Sequence, residues 1–129
     1  MEPIDRRYTK EHEWIRTEGA EAVIGITDYA QNQLGDVVFV ELPAVGRKLA
    51  HGEAFGVVES VKSVADLYAP VAGTVVGVND TLAAAPEEVN HSPYDEGWMV
   101  RIRPDDPAQV DALMDSDAYG RHVAAEGGA

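Results

Sequence analysis

The chain has 129 residues, 45% of them hydrophobic, so it can bury one core, and we expect a single domain over residues 1–129. It contains no cysteine, which excludes disulfides, thiolate metal sites and a cysteine nucleophile. The formal net charge of -13 argues against nucleic acid or an anionic membrane as a partner, and it favours either docking on basic protein surfaces or simply high solubility.

The first predicted element is a β-hairpin over residues 8–27, because apolar residues lie on both sides of a turn at Gly19. The segment that follows, TDYAQNQLG, predicts a short helix. Thr27 or Asp28 is its expected N-cap, and Gly35 is the glycine that ends it.

Four further segments predict β-strands, since they are rich in valine or other apolar residues and are bounded by Gly, Pro or Asn. They are DVVFVEL (36–42), GEAFGVVES (52–60), SVADLYAP (63–70) and TVVGVN (74–79), with a turn at PVAG (70–73). The segments 35–41 and 73–79 also share the pattern G-x-V-V-x-V-x, which suggests a pseudo-symmetric β fold with a hairpin between them.

The region after these strands is predicted to be less regular. Residues 80–97 are rich in Pro, Asn, Asp and Ser, which predicts a long surface loop. WMVRIRP (98–104) alternates apolar and polar residues, which predicts a strand with Trp98 and Val100 on one face and Met99 on the other.

The C-terminal region predicts one or two short helices, capped by Asp106 and Ser116, and a frayed end at 126–129. The N-terminal sequence MEPIDRRYTKEHEW is polar and acidic, unlike a signal peptide or a transit segment, and no apolar run approaches membrane-spanning length. We therefore expect a mainly β, cytoplasmic protein with short helices, one of them a C-terminal helical segment.

Lys62 interrupts the valine-rich run VVESVKSVAD at residues 57–66. It lies between two predicted strands, so we expect it at a hairpin tip with its amine in solvent. Lysine is used sparingly, at three of the ten basic positions, and an amine can be acylated by a cofactor whereas a guanidinium cannot. From the residues alone, both a modified lysine and an ordinary solvated lysine remain open.

No other group of residues in the sequence predicts a site. His12 and Glu13 lack the second histidine of an H-E-x-x-H zinc motif, and His51, His91 and His122 are scattered along the chain. There is also no pattern typical of a nucleophile–base pair or a phosphate-binding loop. We therefore expect neither a metal site nor a catalytic residue.

The segment ESVKSVAD resembles the lipoylation motif of the glycine cleavage system H-proteins. Other segments resemble landmarks of that family, in the family's order: HEW, GIT-x-YAQ, LGDVVFVELP, AP-x-x-G-x-V-x-x-VN and PY-x-x-GWM. The resemblance extends from about Tyr8 to Tyr119. Departures from the family pattern at Glu11, Ser63 and Ala65 leave the lysine in place.

This resemblance implies a barrel-sandwich hybrid like that of lipoyl and biotinyl carrier domains, with (R)-lipoate in amide linkage on Lys62. It further implies a cleft in which Glu13 and Asp66 hold the cationic cargo of the lipoyl arm. The residues that flank the lysine in the motif are Glu59, Ser60, Val61 and Ser63. Biotin carriers are less similar, since they place methionines beside their lysine.

The resemblance also implies a carrier that is not itself an enzyme. It would shuttle an aminomethyl group from glycine decarboxylase, a pyridoxal-phosphate enzyme, to an aminomethyltransferase that uses tetrahydrofolate. Dihydrolipoamide dehydrogenase, with FAD and NAD, would reoxidise the arm, and a lipoylating enzyme would install it. An alternative role is that of lipoyl donor in a protein lipoylation relay.

Overall fold

The computed structural model describes residues 2–126, which form nine β-strands and five α-helices. The strands are β1 (Arg7–Tyr8), β2 (Glu13–Glu18), β3 (Glu21–Ile26), β4 (Val37–Glu41), β5 (Lys48–Leu49), β6 (Ala54–Ser60), β7 (Val64–Tyr68), β8 (Gly73–Val78) and β9 (Val100–Pro104). The helices are α1 (Asp28–Leu34), α2 (Thr81–Ala84), α3 (Glu88–His91), α4 (Ala108–Asp111) and α5 (Ser116–Ala125). None of the helices in this part of the chain is long and apolar enough to cross a membrane.

The strands form two antiparallel sheets. Six strands follow the order β1-β2-β3-β9-β8-β5, and the other three follow the order β4-β6-β7. The main hydrophobic core takes buried residues from both sheets, including Ile24 and Val75 from the larger sheet and Val40 and Val58 from the smaller one. The predicted mainly β architecture, with short helices and a C-terminal helix, is confirmed.

The hairpin β2–β3 is buried on both faces, so its apolar residues do not alternate with polar ones. Ile15 packs into the main core, while the adjacent Trp14 packs into a second cluster with Tyr8 and Tyr119. The Trp14 ring lies directly on Gly25, where a Cβ atom would come within 2.6 Å of it. Helix α5 therefore covers the outer face of this hairpin through aromatic contacts.

The prediction of a long surface loop over residues 80–97 is wrong, because this segment contains the helices α2 and α3. Each of these single-turn helices buries one apolar residue, Leu82 in α2 and Val89 in α3. The polar composition of the segment reflects the exposed sides of both turns. Two isolated apolar residues are enough to dock it on the core.

Two smaller predictions are also wrong. The alternating pattern predicts Met99 on the face opposite Val100, but both residues are buried in the main core. Met99 precedes β9, which begins only at Val100, and its N–H donates to the Ile24 carbonyl at 2.8 Å. Asp115, and not Ser116, caps α5, since its carboxylate accepts from the Ala118 N–H at 2.8 Å.

The cap predicted at Asp106 is one residue early, since Pro107 is the N-cap of α4. The Asp106 carboxylate accepts from the Ala108 N–H at 3.1 Å from the position before the cap. Of the predicted frayed end, only Glu126 falls within the described residues.

The two segments that share the G-x-V-V-x-V-x pattern have the same irregularity. The register of β4 against β6 shifts between Val37 and Phe39, and that of β8 against β9 shifts between Val75 and Gly77. These positions correspond in the two copies of the pattern. The sequence repeat thus has a structural counterpart, a register shift at the same position of the pattern in each sheet.

Candidate functional site

Lys62 lies at the tip of the hairpin that joins β6 to β7, and its side chain is exposed, as the sequence predicts. The two strands pair as far as Glu59 and Val64. The turn is closed by a backbone hydrogen bond from the Ser60 N–H to the Ser63 carbonyl at 2.8 Å.

Ser60 holds this turn together from the inside. Its side chain is buried, and its hydroxyl oxygen accepts from the N–H groups of Lys62 at 3.3 Å and Ser63 at 3.1 Å. The next residue, Val61, donates its N–H to the Asp36 carbonyl at 3.0 Å, which ties the turn to the segment before β4. The lysine backbone is therefore fixed although its side chain is free.

Gly35, at the end of α1, lies beneath the lysine side chain. Its φ of 79° and ψ of -159° belong to a region that is essentially restricted to glycine. A Cβ atom here would lie 3.3 Å from Cε of Lys62. The end of α1 thus supports the lysine stem, and glycine allows both the chain reversal and the close approach.

Asn90 braces the junction between α1 and β4, and sequence analysis did not identify it. Its side-chain oxygen accepts from the Val37 N–H at 2.8 Å, and its amide nitrogen donates to the Gly35 carbonyl at 2.9 Å and to Gln31 at 3.0 Å. It belongs to α3, in the segment predicted to be a surface loop. Nothing local in the sequence indicates these long-range hydrogen bonds.

A cavity of about 230 Å³ lies beside the lysine hairpin, and both Glu13 and Asp66 line it. The hairpin contributes Ser63 and Ala65 as well, and α1 forms another wall that sequence analysis did not anticipate. The lining residues from α1 are Tyr29, Ala30, Gln33 and Leu34. A larger cavity of about 380 Å³ also touches Glu13, but it is lined by no residue of the turn 60–63 and so lies less favourably for a group on Lys62.

Glu13 is almost fully buried, with 2% of its surface exposed. Its carboxylate accepts from the Thr9 hydroxyl at 2.5 Å and from the Tyr68 N–H at 3.1 Å. Burial raises the pKa of Glu13 from 4.5 to about 7, against the lowering effect of these two hydrogen bonds, and the nearby charge of Glu11 raises it slightly further. A neutral and an ionised form are thus both accessible near neutral pH.

Asp66 differs from Glu13 in being exposed, on β7 opposite Val57. The fold therefore brings the two carboxylates to one cavity, with one open to solvent and the other set into the wall. A cation entering from solvent can meet Asp66 without displacing any protein hydrogen bond among the described residues.

Apolar side chains surround the exposed lysine. Val61 and Val64, on either side of it, are 69% and 64% exposed, and Phe39 on the neighbouring strand β4 is 51% exposed. Exposed apolar residues that lie close together commonly mark contact surfaces. The lysine thus has exposed apolar side chains on both sides of it in the hairpin and on the neighbouring strand.

His12 and His122 lie close together in the fold, although no sequence pattern pairs them. The rings of His12 and His122 are 5.6 Å apart, and both histidines contact the carboxylate of Glu126.

Comparisons with known proteins agree on one family. The family model described as "Glycine cleavage H-protein" matches residues 6–126, slightly more than the range recognised from motifs. A "Glycine cleavage system H protein" from Anaeromyxobacter sp. (strain K) is 59% identical over 121 residues, 94% of each chain. The protein of that name from Geobacillus kaustophilus is 56% identical over 117 residues, 91% of this chain and 92% of that one.

A solved structure agrees with these relatives. The crystal structure of a glycine cleavage system H protein from Mycobacterium marinum superimposes with a TM-score of 0.85 at 38% identity. The superposition covers 98% of this chain and 99% of that one.

Proposed function

The chain belongs to the glycine cleavage H-protein family, and from this membership we propose that it carries (R)-lipoate in amide linkage on Lys62. As a member it is a component of the glycine cleavage system. The observation that carries the proposal is the exposed lysine amine at the tip of a fixed hairpin, within the motif ESVKSVAD.

The surroundings of Lys62 suit an acylated lysine. None of the ion pairs among residues 2–126 involves its ammonium, so acylation would break none of them. The buried hydroxyl of Ser60 fixes the turn, while the open side chains of Val61 and Val64 give a lipoylating enzyme an apolar surface to recognise. Glu59 and Ser63, the remaining motif flanks, lie at the two ends of this turn.

When bound to Lys62, lipoate would supply a dithiolane for the transfer of an aminomethyl group, and the partner enzymes would be glycine decarboxylase, aminomethyltransferase and dihydrolipoamide dehydrogenase. The protein's own part is to present the attachment point and a docking surface, so we propose a carrier role in which catalysis resides in the partner enzymes. The net charge of -13 would orient the carrier toward basic surfaces on them.

We further propose that the 230 Å³ cavity shelters the cationic cargo between visits to the partners. Asp66 is the carboxylate that an incoming amine meets first, because it is exposed. Glu13 lies in the wall, where low exposure strengthens its attraction for a cation once it is ionised. α1 closes the cavity with Tyr29, Ala30 and Leu34, which limits the access of water.

Peptide mapping tests the attachment site. The chain is produced in a lipoylating cell, and the modified peptide is located by mass spectrometry. Lys62→Arg should fold normally and accept no lipoate, whereas the matched variants Lys10→Arg and Lys48→Arg should be modified like the wild type. A lipoyl group on Lys10 or Lys48 would refute the assignment.

A second experiment tests the carrier role. Glycine-dependent exchange of carbon dioxide should require both the lipoylated chain and glycine decarboxylase. Turnover of glycine by the purified chain alone would contradict a carrier role. Modified chain that transfers its lipoyl group to other proteins but fails in the exchange assay would favour the alternative role of lipoyl donor.

A further inference from the structure

His12, His122 and Glu126 form a cluster to which the proposed function assigns no role, although His12 also lines the 230 Å³ cavity. The Glu126 carboxylate lies between the two imidazoles, with Oε1 at 3.0 Å from Nε2 of His12 and Oε2 at 2.7 Å from Nε2 of His122. One candidate ligand atom from each residue lies within 4.8 Å of the other two. From these residues we propose a site for a Zn²⁺ ion that joins the C-terminal helix to the loop before β2.

The spacing suits a tetrahedral ion. Zn²⁺ bonds to imidazole nitrogen and carboxylate oxygen are about 2.0–2.1 Å long, which places two ligand atoms roughly 3.3 Å apart. The two observed nitrogen–oxygen distances, 3.0 and 2.7 Å, are shorter than this value and run to different oxygens of Glu126, so an ion would be admitted by rotation of these side chains. Three protein ligands leave the fourth position for water.

The donor set selects the class of ion. Two imidazoles and one carboxylate suit borderline transition metals, whereas Mg²⁺ and Ca²⁺ prefer sites built from oxygen ligands. The ligand groups are accessible, since the side chains of His12, His122 and Glu126 are 16%, 22% and 39% exposed. An ion can therefore enter from solvent without unfolding the helix.

The surroundings of His12 provide the support that metal-binding histidines usually have. Its other ring nitrogen, Nδ1, lies 2.8 Å from the Tyr119 hydroxyl, which is itself 2.7 Å from the Thr27 hydroxyl. If Nδ1–H donates to the Tyr119 oxygen, the tyrosine can donate to Thr27, and Nε2 is left with its lone pair for the ion. Tyr119 is fully buried, so its hydroxyl is held in place as a partner for Nδ1.

The other two ligands are placed by the end of α5. His122 and Glu126 are four residues apart, so the helix brings their side chains to the same face. Nε2 of His122 also lies 3.2 Å from the Lys10 carbonyl, a contact that ligation would replace. His12 has a φ of 73°, a left-handed conformation that turns the chain just before Glu13 and β2.

Zinc binding is tested on the untagged full chain, with any lipoyl arm kept oxidised because a reduced dithiol would itself bind the ion. Metal is removed with a chelator, and ZnCl₂ is titrated calorimetrically in the presence of excess MgCl₂, which suppresses weak binding to scattered carboxylates. One ion per chain is expected. Loss of even an indirect support of a metal ligand costs roughly tenfold in affinity, so His122→Gln and Glu126→Gln should each weaken binding by at least that much.

The control is His91→Gln. His91 Nδ1 lies 3.5 Å from a carboxylate oxygen of Glu88, so it forms a similar exposed pair on a helix. This variant should bind Zn²⁺ like the wild type, and Co²⁺ in place of Zn²⁺ should give visible absorption bands that only the His122 and Glu126 variants lose. Absence of a stoichiometric site under excess Mg²⁺, or equal affinities in the His91 and His122 variants, would overturn the proposal.

Discussion

The buried carboxyl of Glu13 should make the stability of the fold depend on pH. Its pKa is about 7 in the folded chain, against an ordinary value of 4.5. Between these two values the folded chain holds a proton that the unfolded chain has released, so the free energy of unfolding should fall as pH rises from about 5 to 7 and level off above that range.

The size of the effect follows from the shift. One pKa unit corresponds to 1.36 kcal/mol, so a shift from 4.5 to about 7 gives a fall of about 3 kcal/mol. Glu13→Gln removes the titration while keeping the shape of the side chain. A glutamine has one oxygen to accept a hydrogen bond and an amide that can donate one, as a protonated carboxyl has an oxygen and an O–H, so the variant resembles the neutral form at the positions of Thr9 and Tyr68.

Urea denaturation followed by tryptophan fluorescence at several pH values between 5 and 8 provides the assay, since Trp14 is fully buried. The stability of Glu13→Gln relative to the wild type should rise by about 2.5 kcal/mol from pH 5 to pH 8, since a small part of the full shift lies below pH 5. Comparing the two chains cancels every pH-dependent contribution that they share. Glu41→Gln, at an exposed position on β4, should follow the wild-type curve. Parallel curves for Glu13→Gln and the wild type would refute the reasoning.

Four further outcomes are expected. Gly35→Ala should lower stability in urea denaturation by about 1–3 kcal/mol, because alanine does not tolerate this backbone conformation; a loss under about 0.5 kcal/mol would contradict the assigned strain. Asn90→Ala removes three hydrogen bonds and should cost about 2 kcal/mol in the same assay, whereas wild-type stability would mean that water replaces them. Asp66→Asn should leave lipoylation intact but speed the loss of the aminomethyl cargo about fivefold, measured as ammonia release after the decarboxylase is removed. Release at the wild-type rate, also in the double variant with Glu13→Gln, would leave the cavity proposal without support. The apparent affinity for glycine decarboxylase should weaken as salt is added, and a flat response would mean that apolar contacts dominate.

The strands and the lysine hairpin could be predicted because their signals are local. Valine-rich runs bounded by Gly and Pro marked β4, β6, β7 and β8, and the position of Lys62 between two such runs placed it at a turn. The single-turn helices α2 and α3 could not be predicted in this way. A helix of four residues has no periodicity, and Leu82 and Val89 are recognisable as anchors only once the core is known. The strands β1 and β5 were not predicted either, because two residues are too few to show an alternating pattern.

The parts of the site that depend on distant contacts were also missed. Asn90 reaches Val37 across 53 positions of the chain, and His12 meets Glu126 across 114 positions. Neither pair has a sequence pattern, because each is created by the packing of a helix on a sheet. The shared cavity of Glu13 and Asp66 was anticipated from family motifs, while its wall formed by α1 was not.

The anchoring of the turn at Ser60 and Asp36 has a mechanical consequence for a carrier. With lipoate on Lys62 as proposed, the fixed backbone would make the attachment point a stationary pivot, and every reorientation of the carried group would come from rotation within the lysine side chain and the group itself. The volume that the group searches is then a sphere set by their combined length. A looser turn would enlarge that sphere and dilute the group within it, lowering its effective concentration at any one partner site. A fixed backbone at Lys62 thus shortens the distance over which the group can move and raises its effective concentration within that distance.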